Sequence, residues 1–184
     1  MYRSFPTGSQ LKTGALPEST MLLGLGNPIL GDDGIGCMLA ELVGDMLGPM
    51  DGLEVLSASV SPVRLVDIIS GFHRLLVLDS VTTRRAEPGT LMEVDFTVEG
   101  LLPPSSHHFS VHQIPEIASA LGLQCPRDIV YLGIEIEPPR EYGDRLSPLL
   151  EERLPSLAEE VIAILFKEND NDDQVDPPRG ELAV

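Results

Sequence analysis

Positive charge is scarce in this sequence: 12 Lys and Arg stand against 29 Asp and Glu, for a net −17 over 184 residues. A nucleic-acid partner needs a Lys/Arg-rich surface to neutralise phosphates, so the charge argues against that class of function. The stretch from Lys167 onward carries six acidic and two basic residues, so the excess of acid lies mostly in the rest of the chain. Cysteine is almost absent. Cys37 and Cys125 form neither a C-x-x-C pair nor a zinc-ligand spacing, which leaves two free thiols as small packing residues. No apolar run approaches the ~20 residues of a membrane span, so membrane insertion is not expected. The opening "MYRSFPTGSQLKTGALPEST" has no continuous apolar stretch and does not read as a secretory signal, which makes the cytoplasm the expected compartment. No internal repeat is visible.

What is present is a globular composition, 42% apolar, long enough for one domain with a sizeable core. Residues 1–19 are rich in Ser, Thr, Gly and Pro without periodicity and read as a flexible extension. Residues 167–184 read as an acidic disordered tail. The domain between them spans 20–166. Strand-like runs fall at 21–26, 53–60, 74–81, 89–96 and 128–136. The run at 89–96 alternates after the turn signal "EPG" and reads as an edge or antiparallel strand. Helical spacing of apolar residues marks 35–47, 61–70, 112–123 and 147–166. Ser61-Pro62 and Ser147-Pro148 are helix starts, with Ser at the cap and Pro at the first helical position. Pro155 is expected to kink or divide the last helix. This order implies a three-layer α/β/α sandwich around a mainly parallel twisted sheet of about five strands. In such folds ligands sit beyond the carboxyl ends of the strands.

That rule directs attention to "GLGNPILGDDGIG" at residues 24–36. As a dinucleotide fingerprint the stretch fails, because the third glycine should stand at position 29, which is Ile29. It has no G-K-S/T ending, and two acids occupy the place where a pyrophosphate would bind. Gly24 and Gly26 permit a tight turn after the strand, while Gly34 and Gly36 let the first helical turn lie close to the sheet or to a bound chain. Asp32 or Asp33 is suited to cap the helix that follows. Asp79 ends a buried apolar run, where a carboxylate is costly unless paired or solvated. His112 opens a helix after the loop "PPSSHHFSV", in which His107 and His108 are rival candidates. Asp33, Asp79 and one imidazole form a mixed O/N donor set suited to a divalent transition metal, with coordination positions left open.

At these residues the sequence resembles the nickel–iron hydrogenase maturation endopeptidases. "GLGNPILGDDGIG" is similar to their N-terminal signature of Gly-x-Gly-Asn, a short spacer, then Asp followed by Asp or Glu and a Gly three residues on. "LLVLDSV" (75–81) is similar to their strand ending in a ligand Asp, and "FSVHQI" (109–114) to their Ser-x-His-Gln segment. "YLGIEIEPP" and "RLSPLLEERLPSLAEEV" resemble their last strand and terminal helix. The resemblance covers residues 21–166. It implies an endopeptidase that trims the C-terminal extension from a hydrogenase large-subunit precursor after nickel insertion. The substrate's nickel would be bound by Asp33, Asp79 and His112. Glu135 and Glu137 depart from the shorter Gly-Ile-x-Pro turn of the family. Other readings give different roles to the same features. A non-catalytic nickel-dependent docking chaperone would use the same three residues, and a metal-free aspartic protease would need only Asp33 and Asp79. Peptidyl-tRNA hydrolase shares "GLGNP" but needs a His-bearing block soon after, and here no His precedes His73.

Overall fold

Among the described residues, five stretches rich in leucine and β-branched residues and one short Arg-Ser segment assemble into one sheet, and four amphipathic helices cover it. The computed structural model describes residues 3–4, 16, 19–58, 62–94, 114–139 and 142–167. The elements are β1 (Arg3–Ser4), β2 (Thr20–Leu25), a 3-10 turn (Gly31–Gly34), α1 (Ile35–Leu47), β3 (Leu53–Ala58), α2 (Pro62–Ile69), β4 (Arg74–Val81), β5 (Leu91–Glu93), α3 (Ile114–Leu121), β6 (Asp128–Glu135) and α4 (Pro148–Leu165). The sheet order is β1-β5-β6-β4-β2-β3. β6, β4, β2 and β3 run parallel, and β5 pairs antiparallel with β6, as its alternating pattern suggests. The expected α/β/α sandwich is present, with one small addition. Arg3–Ser4, inside the stretch read as a flexible extension, pairs with β5 as a sixth strand. The rest of that extension, apart from Leu16 and Ser19, and all of the tail beyond Lys167 lie outside the described residues.

The period-2 alternation of the strands sends side chains to two separate cores. On one face Leu22, Leu76, Leu78, Leu132 and Ile134 pack against α1 and α4. On the other, Met21, Leu23, Leu75, Val77, Val81 and Tyr131 pack against α2 and α3. At the base of β4 the buried Arg74 ties the layers together. Its guanidinium donates to the carbonyls of Leu165 and Lys167 at 3.1 Å, where a cation suits a helix C-terminus, and its Nε lies 2.9 Å from Asp128 Oδ2. Helix α4 runs through Pro155 as one element, so of the two expected effects, a kink or a division, the division does not occur. Leu150 before the proline and Leu157, Ala158 and Val161 after it are all buried in one core, which offsets the roughly 3 kcal/mol cost of an internal proline. Ser61 lies outside the described residues. Ser147 occupies the cap position of α4 in extended backbone, without a side-chain cap bond. Among the described residues no helix is long and apolar enough to cross a membrane.

The order in which strands are added to the sheet reverses between the parallel neighbours β2 and β4. The connection from β2 leads outward to β3, and the chain then returns to place β4 on the other side of β2. That is the switch point at which parallel sheets open a crevice. The tip of α1 descends onto it because Gly36 has no side chain. A Cβ there would stand 2.2 Å from the Leu25 carbonyl oxygen and 2.4 Å from that of Leu78. Substituting Gly36→Ala is therefore expected to destabilise the fold by at least about 1–3 kcal/mol, because backbone must move. Gly143→Ala, where a Cβ meets nothing within 4 Å, is the control and should unfold near the wild-type urea midpoint.

Candidate active site

The turn that follows β2 is stitched to itself before it reaches α1. Asn27 Oδ1 accepts the Ile29 N–H at 3.3 Å, and the Asn27 carbonyl accepts the Leu30 N–H at 2.9 Å. The 3-10 turn then runs directly into α1, whose cap position is Gly34 in helical backbone with no side-chain cap bond. Neither acid caps α1, contrary to the reading from sequence. A capping carboxylate belongs on an extended residue just outside a helix, and both aspartates already lie within a helical turn. Asp32 reaches across the molecule instead. Its Oδ1 accepts the backbone N–H of Ser147 at 2.6 Å, bracing the start of α4.

Asp33 turns inward and is 2% exposed. Its Oδ2 accepts the Asn27 N–H at 3.2 Å and its Oδ1 accepts the hydroxyl of Ser80 at 2.9 Å. Asp79, at the end of β4, is 1% exposed. Its Oδ1 accepts the Ser80 N–H at 2.8 Å and its Oδ2 accepts the Tyr131 hydroxyl at 2.5 Å. The two carboxylates thus come to one place from opposite faces of the sheet. Ser80 joins them, with its N–H donating to Asp79 and its O–H to Asp33. Burying a carboxylate is costly, and hydrogen bonds from neutral donors are what make it tolerable.

The structure brings together two of the three candidates, Asp33 and Asp79. His112 and its rivals His107 and His108 lie outside the described residues, as does the loop that bears them. Among the described residues no group of three His, Cys, Asp or Glu side chains is placed to hold a metal ion. Helix α3 begins two residues after His112, and its first residue, Ile114, is buried in the same apolar cluster as Tyr131. Cys37 and Cys125 are not in a disulfide. Burial of the Cys125 thiol pushes its pKa up, which suits an unreactive packing residue.

Ser80 and Tyr131 are the site residues that the sequence reading missed. Tyr131 carries a signal: a phenol inside a buried strand needs a partner for its hydroxyl. Ser80 carries less, since a serine after a strand-end aspartate reads as the start of a loop. Burial, the charge of Asp79 and the hydrogen bond to it hold the Tyr131 pKa well above 10.0. The folded protein keeps that proton where an unfolded chain loses it. The stabilisation is therefore present below about pH 10 and lost as pH rises beyond it. Urea unfolding at about pH 8 and pH 10.5 checks this. Tyr131→Phe is expected to cost about 1.5–3 kcal/mol at the lower pH, by stripping Asp79 of a donor. It should also lose less further stability than wild type at the higher pH.

With the geometry in place, comparison with known proteins is informative. The profile of the hydrogenase maturation protease family matches residues 37–164, a span that includes Asp79 and starts just after Asp33. The hydrogenase 2 maturation protease of Escherichia coli is 26% identical over 150 residues, covering 79% of this chain and 89% of that protein. A hydrogenase expression/formation protein of Azotobacter vinelandii is 26% identical over 162 residues, 82% of this chain and 77% of that one. Among solved structures, a hydrogenase maturating endopeptidase of E. coli superposes with a TM-score of 0.62 at 25% identity, covering 79% of this chain and 91% of that one. A [NiFe] hydrogenase maturation protease of Thermococcus kodakarensis shares the fold with a TM-score of 0.63 at 23% identity, covering 84% and 96%. This chain, with its paired aspartates at the switch point of the sheet, belongs to the hydrogenase maturation protease family.

Proposed function

We propose that the protein, acting in the cytoplasm, removes the C-terminal extension from a nickel-loaded hydrogenase large-subunit precursor. The observation that carries this reading is the pair of buried carboxylates, Asp33 and Asp79, held at fixed spacing by Ser80 at the mouth of the sheet. Structural carboxylates are seldom buried in pairs, and a pair at a switch point is suited to meeting a cation carried by a ligand. The nickel is cargo of the substrate. Asp33 and Asp79 offer it oxygen donors, and His112 is assigned as the nitrogen donor by its place in the Ser-x-His-Gln segment.

When carried in by the substrate, nickel would supply a positive centre to polarise the scissile carbonyl. The chain's own residues do the rest. The Ser80 N–H and the Tyr131 hydroxyl fix the orientation of the Asp79 carboxylate. Asp79 takes a proton from the attacking water and returns it to the departing amine. Asp33, braced by Asn27 and Ser80, would hold the substrate's metal.

Mass spectrometry of the precursor tests the reading. The wild-type protein is expected to release a C-terminal peptide from the nickel-loaded precursor and to leave the nickel-free form intact. Asp79→Asn is expected to slow release by about 10²–10⁴-fold while the loaded precursor still binds. Loss of binding together with cleavage would reduce Asp79 to a docking ligand. An unchanged mass in the wild-type reaction would contradict the function itself.

A further inference from the structure

A third buried carboxylate lies beside the pair and has no part in the reaction just described. Glu135, the last residue of β6, is 1% exposed. It stands opposite Val81, and Gly133 stands opposite Asp79, so Glu135 is one side-chain step farther out on the face that carries Asp79. That step is about 7 Å. The Glu135 carboxylate is clasped by the loop that leaves β4. Its Oε1 accepts the Arg84 N–H at 2.8 Å, and its Oε2 accepts the Thr83 hydroxyl. The Arg85 N–H in turn donates to Thr83 Oγ1 at 3.2 Å. Backbone bonds complete the clasp, with the Gly89 N–H on the Glu135 carbonyl at 2.8 Å and the Glu135 N–H on the Thr90 carbonyl at 3.0 Å.

Within the clasp Arg84 stands at φ 58°, the only described residue other than glycine with positive φ. A side chain is disfavoured in that region, and glycine would make the same turn without strain. A buried charge and a strained backbone are thus both spent on displaying an arginine. Arg84 is exposed, five residues past Asp79 along the chain, in a protein with more than two acids for every base. Strain of this kind concentrates where a ligand is gripped.

We infer that Arg84 is a specificity-determining residue: its guanidinium binds a carboxylate of the substrate polypeptide a few residues from the scissile bond. An extended peptide covers the step from Asp79 to this loop with two or three residues. A guanidinium fork grips a carboxylate through two parallel hydrogen bonds. On a chain so acidic, an acidic substrate segment would otherwise be repelled, and Arg84 reverses the sign of the field where that segment must lie. The inference rests on the proposed function, since the carboxylate belongs to the precursor.

Arg84→Gly in the full chain separates the role of the side chain from that of the turn. Cleavage of nickel-loaded precursor and thermal unfolding are measured side by side. The thermal midpoint should stay level or rise, because glycine relieves the strain. KM should rise about tenfold or more, with kcat changed little, and KM should become less sensitive to salt. Arg84→Lys should recover part of the loss in KM. A variant with wild-type KM and salt dependence would overturn the inference, as would a KM rise accompanied by a falling midpoint. Wild-type protein that leaves the loaded precursor uncut would contradict the proposed function and this inference together, whereas an Arg84→Gly variant that cleaves with wild-type KM contradicts the inference alone.

Discussion

The site depends on a single serine. Ser80 sits where β4 leaves the sheet, so its backbone and side chain serve different faces. Its N–H remains with Asp79, and its hydroxyl turns toward the helix layer and meets Asp33. Two like charges brought this close repel, and each also gives up its hydration. Neutral donors fixed between and around them compensate both penalties without cancelling the charge that a cation would seek. The result is a pair of acids whose orientations are tied together through one residue.

The rest of the fold places that serine and its partners. Asp33 reaches Ser80 because α1 lies almost on the backbone of β2 and β4, and α1 lies there because Gly24 and Gly36 face each other across the contact. A Cβ on Gly24 would stand 2.4 Å from the Gly36 carbonyl oxygen. Asp32 fixes the same turn to the start of α4 through Ser147, and Arg74 fixes the far end of α4 to β4. Helix α4 is thus anchored at both ends to segments that lead into the two acidic residues. Rigid elements beneath a pair of acids keep small displacements from reaching the chemistry.

Much of this was legible from the residues alone. The alternation of apolar strands and amphipathic helices specified the layers, and the rule for parallel sheets pointed to their carboxyl ends. Asp79 stood out because a carboxylate closing the buried run "RLLVL" has to be explained. What escaped were partners chosen by three-dimensional register. Asp32 bonds a backbone amide 115 positions away, and Tyr131 meets Asp79 only because β6 pairs beside β4 with their first residues level. Period-2 alternation says which face a side chain takes but not which neighbour it finds. The 3-10 turn was equally hidden, and with it the reason that neither aspartate caps α1. Pro155 does not divide α4 because its local cost is outweighed by burial on both sides. Glu135 was visible as a departure from the family pattern, but its clasp on the β4 loop required coordinates.

Substituting Ser80→Ala tests the central claim most directly, because it removes the hydroxyl bond to Asp33 and keeps the N–H bond to Asp79. Cleavage of nickel-loaded precursor would be followed by mass at a temperature where circular dichroism shows the variant fully folded. The account predicts a cleavage rate reduced by about tenfold or more, with Ser80→Thr restoring much of it, since a single charge-assisted hydrogen bond is worth about 1.5–3 kcal/mol. A folded Ser80→Ala protein that cleaves at the wild-type rate would contradict it.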